Sequence, residues 1–141
     1  MNRYLIWTSL LNFSWEVLQL PLYTIWADSS GRDIAFAVVH CTVGDVMITT
    51  ISLVAAVILA GRKEWPDRRY RAVAVTAILT GLTYTIYSEW NNTVVTRSWA
   101  YAASMPQLWG IGLSPIAQWI IVPGIAFWRL YRPRENLNAR L

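Results

Sequence analysis

Four long apolar runs alternate with short polar segments along the chain. The runs cover residues 4–26, 34–60, 72–89 and 110–131. Each is close to or above the roughly 20 residues that a helix needs to cross the hydrocarbon core of a bilayer. Prolines interrupt the first and last runs, as transmembrane helices tolerate. The pattern predicts an all-α integral membrane protein, a four-transmembrane-helix bundle that forms a single domain over residues 1–141.

Composition agrees with the membrane class. The chain is 55% hydrophobic and only 14% charged, whereas soluble domains carry about 25% charged residues. The net charge is +4, but the basic residues lie between the apolar runs and not along one face. We therefore expect the lipid bilayer, and no nucleic acid, as a partner. The single Cys41 excludes an internal disulfide and a cysteine metal cluster.

The basic residues also predict an orientation. In a four-span arrangement, ten of the twelve Lys and Arg residues fall on one side. The positive-inside rule then places both termini and residues 61–71 in the cytoplasm, as expected for a multi-pass protein of the inner (plasma) membrane. Only Arg32 and Arg97 fall on the outer side. The ten inner residues are Arg3, Arg62, Lys63, Arg68, Arg69, Arg71, Arg129, Arg132, Arg134 and Arg140.

The segment of residues 90–109 is too polar and too interrupted to span a membrane, yet it is rich in aromatic residues. A long aromatic loop of this kind either lies in the membrane interface or folds back as a lid. The sequence leaves both alternatives open.

Every predicted helix carries polar side chains at similar depth. At a rise of about 1.5 Å per residue, they fall in one layer between the middle of the membrane and its outer face. In the first helix they lie at i, i+4 and i+7, and therefore on one face. These polar residues are Asn12, Glu16, Gln19, His40, Asp45, Glu89, Asn91 and Gln118.

Two of these carboxyl groups indicate function. A carboxylate near the bilayer centre costs about 2.5–3.5 kcal/mol on insertion scales, so Glu16 and Asp45 are interpreted as functional groups. Burial favours the neutral acid, which makes Glu16 a candidate general acid. For the amides Asn12, Gln19 and Gln118, contact between helices and ligand binding remain equal alternatives.

The predicted catalytic residues are Glu16, Asp45, Glu89 and His40. Glu16 is expected to donate a proton, and Asp45 or Glu89 to accept one or to stabilise positive charge. His40 is expected to tune the carboxyl groups. A helix contact, a metal ligand and a haem ligand remain open for His40, but no ligand spacing supports a metal site, so we predict no metal and no cofactor.

The predicted substrate-binding residues are the amides and aromatic groups around the same layer. The amides are expected to hold a substrate oxygen, and the Trp15 and Trp119 rings to attract positive charge through cation–π contacts. The set is Asn12, Trp15, Gln19, Tyr84, Tyr87, Asn91, Trp99, Gln118 and Trp119.

The stretch Asn12-Phe13-Ser14-Trp15-Glu16 resembles the Asn-x-x-Trp-Glu motif of the fungal transmembrane terpene cyclases that make meroterpenoids and indole diterpenes. In that family the matching glutamate is assigned the protonation of an epoxide or alkene, assisted by a second carboxylate. The resemblance implies that Glu16 is the acid and that Asn12 and Trp15 orient it. Asp45 is the nearest candidate for the second carboxylate.

The leading prediction is an integral-membrane enzyme that isomerises or cyclises a hydrophobic, isoprenoid-like or small lipophilic substrate by general acid–base catalysis. One alternative is a small proton-coupled transporter or channel, which would be a homo-oligomer because four helices enclose little lumen. Another alternative is an accessory subunit of a larger membrane complex, in which the polar groups only hold helices together.

Overall fold

The protein is mostly helical. The computed structural model describes residues 2–61, 65–66 and 68–138. Arg62, Lys63 and Arg140, which the predicted orientation uses, lie outside the described residues. The helices are α1 (Asn2–Gln19), the short α2 (Ile25–Asp28), α3 (Gly31–Ala56), α4 (Tyr70–Trp90) and α5 (Leu113–Asn138).

Three of the long helices continue into irregular turns. A 3₁₀ turn, Leu20–Leu22, follows α1 and has Pro21 near its start. Proline cannot continue an α-helix because it lacks the N–H and crowds the preceding turn. One π-helical turn, Val57–Gly61, extends α3, and another, Asn91–Val95, extends α4. The first predicted run of residues 4–26 is therefore split, and its regular helix ends at Gln19.

The four long helices form a closed ring in which α1 and α4 each contact α3 and α5. Neighbouring helices are antiparallel, because Tyr4 at the start of α1 packs on Phe127 far along α5, with ring centroids 4.5 Å apart. An apolar core closes this end of the bundle. Its buried residues are Tyr4, Leu53, Ala56, Val73, Ala77, Ala126 and Phe127.

A glycine lets α4 and α5 approach closely in the middle of the bundle. A Cβ atom at Gly81 would lie 2.4 Å from two atoms of the Trp119 ring. The ring therefore occupies the space that a side chain at Gly81 would fill, and Trp119 is buried. This contact places Trp119 between the apolar core and the polar residues farther along the bundle.

The outer faces of the long helices are apolar. On α3, for example, Phe36, Val43, Met47 and Ile51 are all more than half exposed, whereas Asp45 is buried. Two helical segments, Gly31–Gly61 and Leu113–Leu130, are long and apolar enough to cross a membrane, judged by length and composition alone. These two candidate membrane-spanning helices support the prediction of a helical membrane protein.

The loop between α4 and α5 is partly ordered by a small hairpin, which the all-α prediction did not include. Strands β1 (Gln107–Leu108) and β2 (Ile111–Gly112) pair antiparallel. Trp109 and Gly110 form the turn with φ of 52° and 79°, as two-residue hairpin turns require.

The same loop folds back over the end of the bundle. Tyr101 forms a β-bridge with Tyr23, and the Thr24 amide donates to the Ala100 carbonyl at 3.0 Å. The Ala102 amide donates to the Leu22 carbonyl at 2.9 Å. Of the two alternatives for residues 90–109, these contacts favour folding back, because they tie the loop to the segment that follows α1.

Candidate functional site

The side-chain amide of Gln118 lies at the centre of a buried polar cluster. Its Nε2 is 3.1 Å from Asn12 Oδ1, 3.1 Å from Glu16 Oε1 and 2.8 Å from Asp45 Oδ2. All four side chains are at most 9% exposed. One amide group on α5 therefore joins side chains from α1 and α3 in the interior.

Glu16 and Asp45 lie side by side, because Oε1 of Glu16 and Oδ2 of Asp45 approach the same nitrogen of Gln118 at 3.1 and 2.8 Å. Two carboxyl groups that share one buried site do not both ionise, so the pair retains a proton. Glu16 also accepts a hydrogen bond from Gln19 Nε2 at 2.7 Å. The pair is therefore a buried acid surrounded by neutral amides.

A chain of hydrogen bonds fixes the orientation of Gln19. Its Oε1 accepts from the Ser114 hydroxyl at 2.8 Å, and that hydroxyl accepts from the Trp15 indole N–H at 3.2 Å. With its oxygen held in this way, the Gln19 amide nitrogen faces Glu16. Trp15, which is half-buried, thus supports the carboxyl pair through Ser114 and does not contact it directly.

Glu89 is a third buried carboxyl group, 7% exposed, at the end of α4. The Tyr101 hydroxyl donates to its Oε2, and the side chain of Tyr23 also interacts with it. The Trp99 indole N–H is buried near the same carboxyl group and has no hydrogen-bond partner among the described residues. Glu89 also interacts electrostatically with Glu16.

The spacing along the helices explains why these groups meet. On α4 the buried positions recur every four residues, at Val73, Ala77, Gly81, Thr85 and Glu89. On α1 they are Tyr4, Thr8, Asn12, Glu16 and Gln19. In both helices the buried face is apolar at the end that joins the core and polar at the other end. The two faces lie opposite each other across the bundle, and their polar ends line one half of the interior.

Several predicted site residues lie elsewhere. His40 is exposed and stacks on Phe36 with ring centroids 5.7 Å apart. The structure does not bring it to the carboxyl groups, because it lies five residues from Asp45 and so faces away from the interior. Asn91 is half-buried in the π-helical turn beyond α4. Trp119 packs on Gly81, below the cluster.

Tyr84 and Tyr87 also lie away from the cluster. They are 50% and 56% exposed and line a shallow groove of about 520 Å³ on the outer face of α4. The remaining residues of this groove are Leu79, Thr80 and Thr83. Since Thr85 and Glu89 mark the buried face of the same helix, the two tyrosines point to the surroundings of the bundle.

Four site residues were missed by sequence reasoning. Tyr23, Tyr101 and Ser114 supply hydroxyl groups, and Cys41 is half-buried within electrostatic range of Glu16, Asp45 and Glu89. Tyr101 reaches the site only because the loop folds back, and no spacing rule relates it to the helices. Ser114 lies four residues before Gln118 on α5, and therefore on the same side of that helix. The position of Cys41 near the site could have been predicted, because it lies four residues before Asp45 and therefore on the same side of α3.

No group of three or more His, Cys, Asp or Glu side chains within the described ranges is arranged to hold a metal ion.

Comparisons of the chain with protein-family models, with curated proteins and with solved structures found no match. Its function is therefore inferred from the site itself.

Proposed function

We propose that the chain is an integral-membrane enzyme that isomerises or cyclises a hydrophobic substrate by acid–base catalysis. The observation that carries this proposal is the pair of buried carboxyl groups, Glu16 and Asp45, that lie against the same side-chain nitrogen of Gln118. Such a pair keeps a proton in the interior, away from water, as a general acid for an apolar substrate requires. The resemblance of residues 12–16 to the terpene cyclase motif supports the same role for Glu16.

In this proposal all four long helices cross the membrane. On α1, Ile6, Leu10 and Leu18 are 59%, 58% and 78% exposed, and α4 exposes Val75 and Leu79. A water-soluble protein would not combine large exposed apolar faces with a polar interior. The proposed arrangement is a four-span bundle in the inner (plasma) membrane with both termini in the cytoplasm, as the Lys and Arg positions favour.

In the proposed reaction, Glu16 transfers the shared proton to an alkene, epoxide or similar weakly basic group of the substrate. The carboxylate left on the pair then stabilises the positive charge on the substrate. Gln118 and Gln19 hold the carboxyl groups in place, which replaces their predicted role of binding a substrate oxygen. The substrate class is isoprenoid-like or another small lipophilic molecule.

The distribution of polar groups favours an enzyme over a proton-coupled transporter or channel. The buried carboxyl groups lie in one half of the bundle, whereas the apolar core around Tyr4 and Phe127 closes the other half. A transporter needs polar groups along the whole path. A polar site confined to one half of the bundle therefore suits catalysis better than conduction across the membrane.

The test compares E16Q and D45N with the parent protein in lipid vesicles supplied with a panel of polyprenyl alcohols and epoxides. The parent should form isomers of unchanged mass, separated by chromatography, and both variants should lose at least about 100-fold in rate. D28N, a change at an exposed carboxyl, is the matched control and should keep full activity.

Three outcomes contradict the enzyme. If E16Q keeps full activity, Glu16 is not the general acid. Proton flux through the parent protein in liposomes, without turnover of any substrate in the panel, favours the transporter. Co-purification in fixed ratio with another membrane protein, without turnover, favours the accessory subunit.

A further inference from the structure

The hairpin between α4 and α5 carries the most exposed large apolar side chain among the described residues. Trp109 is 93% exposed, and its neighbour Leu108 is 50% exposed. Trp109 also has a φ of 52°, in the left-handed region that bulky residues rarely adopt. The fold therefore holds a large aromatic ring away from the protein in an unfavourable backbone conformation. This combination indicates that the ring has a role outside the folded chain.

The base of the hairpin is fixed, whereas its tip projects. The Leu113 amide, at the start of α5, donates to the Pro106 carbonyl at 2.8 Å. A Cβ atom at Gly112 would lie 3.0 Å from the Tyr101 ring, so the second strand packs closely on the folded loop. The hairpin tip, residues 108–110, consists of three exposed residues. The loop thus covers the bundle with one part and presents another part to the surroundings.

The position of α5 sets the level of the hairpin tip relative to a membrane. The candidate span Leu113–Leu130 has 18 residues, or about 27 Å at 1.5 Å per residue, close to the roughly 30 Å of the hydrocarbon core. Leu113 therefore lies near the edge of that core. The headgroup zone beyond it is about 5–7 Å thick, and a two-residue strand spans about 7 Å. The hairpin tip therefore stays at the level of the headgroups.

The chemistry of the tip suits uncharged lipid. Residues 98–128 contain no Lys, Arg, Asp or Glu, so the tip offers no charge to an acidic or basic partner. Tryptophan prefers the membrane interface, because its ring contacts acyl chains while its N–H reaches headgroup oxygens. Two further tryptophans at this end of the bundle are about half exposed, Trp26 in α2 and Trp90 at the end of α4.

We propose that the hairpin tip is a membrane anchor, in which Trp109 and Leu108 insert at the boundary between headgroups and acyl chains of the outer leaflet. The partner is the neutral lipid interface. This inference rests on the membrane placement in the proposed function and is independent of the reaction. It means that the loop whose Tyr101 contacts Glu89 is held by the bundle on one side and by lipid at its tip.

A nitroxide label on Leu108→Cys measures the depth of the hairpin tip by electron paramagnetic resonance. The full chain, with Cys41→Ser, is placed in phosphatidylcholine vesicles. Dissolved oxygen collides more often with labels in lipid, and a water-soluble nickel chelate with labels in water. Met47→Cys, on the exposed face of α3, gives the lipid reference, and Asp28→Cys gives the water reference. The ratio of oxygen to nickel collisions at residue 108 should lie between the two references, as an interfacial position requires.

Trp109→Ala in the labelled chain tests whether the ring is the anchor. The ratio at residue 108 should then fall to that of the water reference. Trp128→Ala is the matched control, because Trp128 is 48% exposed at the opposite end of the bundle, and it should leave the ratio unchanged. Anionic phosphatidylglycerol added to the vesicles should also leave it unchanged, since the tip is uncharged.

The proposal is overturned if the label at residue 108 gives the ratio of the water reference, if Trp109→Ala has no effect, or if insertion requires the anionic lipid. Protection from both reagents also overturns it, because protein then covers the tip, either a second copy or another partner. The label on Met47→Cys separates these results from failure of the membrane placement. If that label is in water as well, the proposed membrane placement fails and the anchor with it.

Discussion

The side-chain nitrogen of Gln118 lies 2.8 Å from Oδ2 of Asp45, although the two residues belong to different helices, α5 and α3. The same nitrogen lies 3.1 Å from Glu16 Oε1. One neutral side chain therefore fixes the position of both members of the carboxyl pair. Gln118 therefore contributes both to the stability of the bundle and to the geometry of the site.

Replacing Gln118 by methionine should lower the free energy of unfolding by about 1–3 kcal/mol, because a side chain of similar length then leaves buried acceptors without their donor. Chemical unfolding in detergent micelles measures the change. Gln107→Met is the matched control, since Gln107 is exposed, and should stay within about 0.5 kcal/mol of the parent. If Q118M is as stable as the parent, the amide contacts of Gln118 contribute nothing to the free energy of unfolding.

Gly81→Ala should destabilise the bundle by about 1–3 kcal/mol, because the added Cβ would enter the Trp119 ring. Thermal unfolding should show the loss, and the second change in G81A/W119L should restore part of it by making room. Gly44→Ala, where an added Cβ meets nothing within 4 Å, should instead stabilise α3 by up to about 1 kcal/mol. Equal effects at the two glycines would contradict the close approach of α4 and α5.

The unfolding free energies of E16Q, D45N and the double variant should not add. Since the two carboxyl groups lie against the same nitrogen of Gln118, we expect a coupling energy of about 0.5–3 kcal/mol in a double-mutant cycle. The cycle of E16Q with D28N is the control and should be additive within about 0.5 kcal/mol, because Asp28 is exposed. Additivity in both cycles would mean that Glu16 and Asp45 act independently.

The proposed orientation is tested by labelling single cysteines with a membrane-impermeant thiol reagent in intact cells. In a background with Cys41→Ser, A103C should react from outside, since Ala103 is exposed in the outer loop. N2C, at the start of α1, should react only after the membrane is made permeable. The reverse pattern would place both termini outside.

The helices were largely predictable, because a membrane-length apolar run leaves the chain few other ways to satisfy its backbone. The second run, residues 34–60, matches α3 and its π-helical turn, and the third, residues 72–89, matches α4 within two residues at its start. The first was predicted too long, because Pro21 ends the regular helix near Gln19. The hairpin had no such signal, since strands of two residues show no periodicity.

The polar layer was predictable only in part. Asn12, Glu16 and Gln19 share a face by spacing alone, and all three are buried in the cluster. His40 was predicted to lie near the carboxyl groups because it falls at a similar level along its helix. That level does not decide to which side of the helix the side chain points. Its exposed position follows from the rotation of α3 about its own axis, which the packing of the four helices determines.

The sequence by itself determined the helical class, the apolar outer faces and the level along each helix at which the polar residues lie, because all three follow from the order and period of residue types. Only the tertiary structure decided that Glu16 and Asp45 lie side by side against Gln118 and that the Tyr101 hydroxyl reaches Glu89. Those contacts join separate helices and a folded loop. They depend on how the helices rotate and pack, which no local pattern specifies.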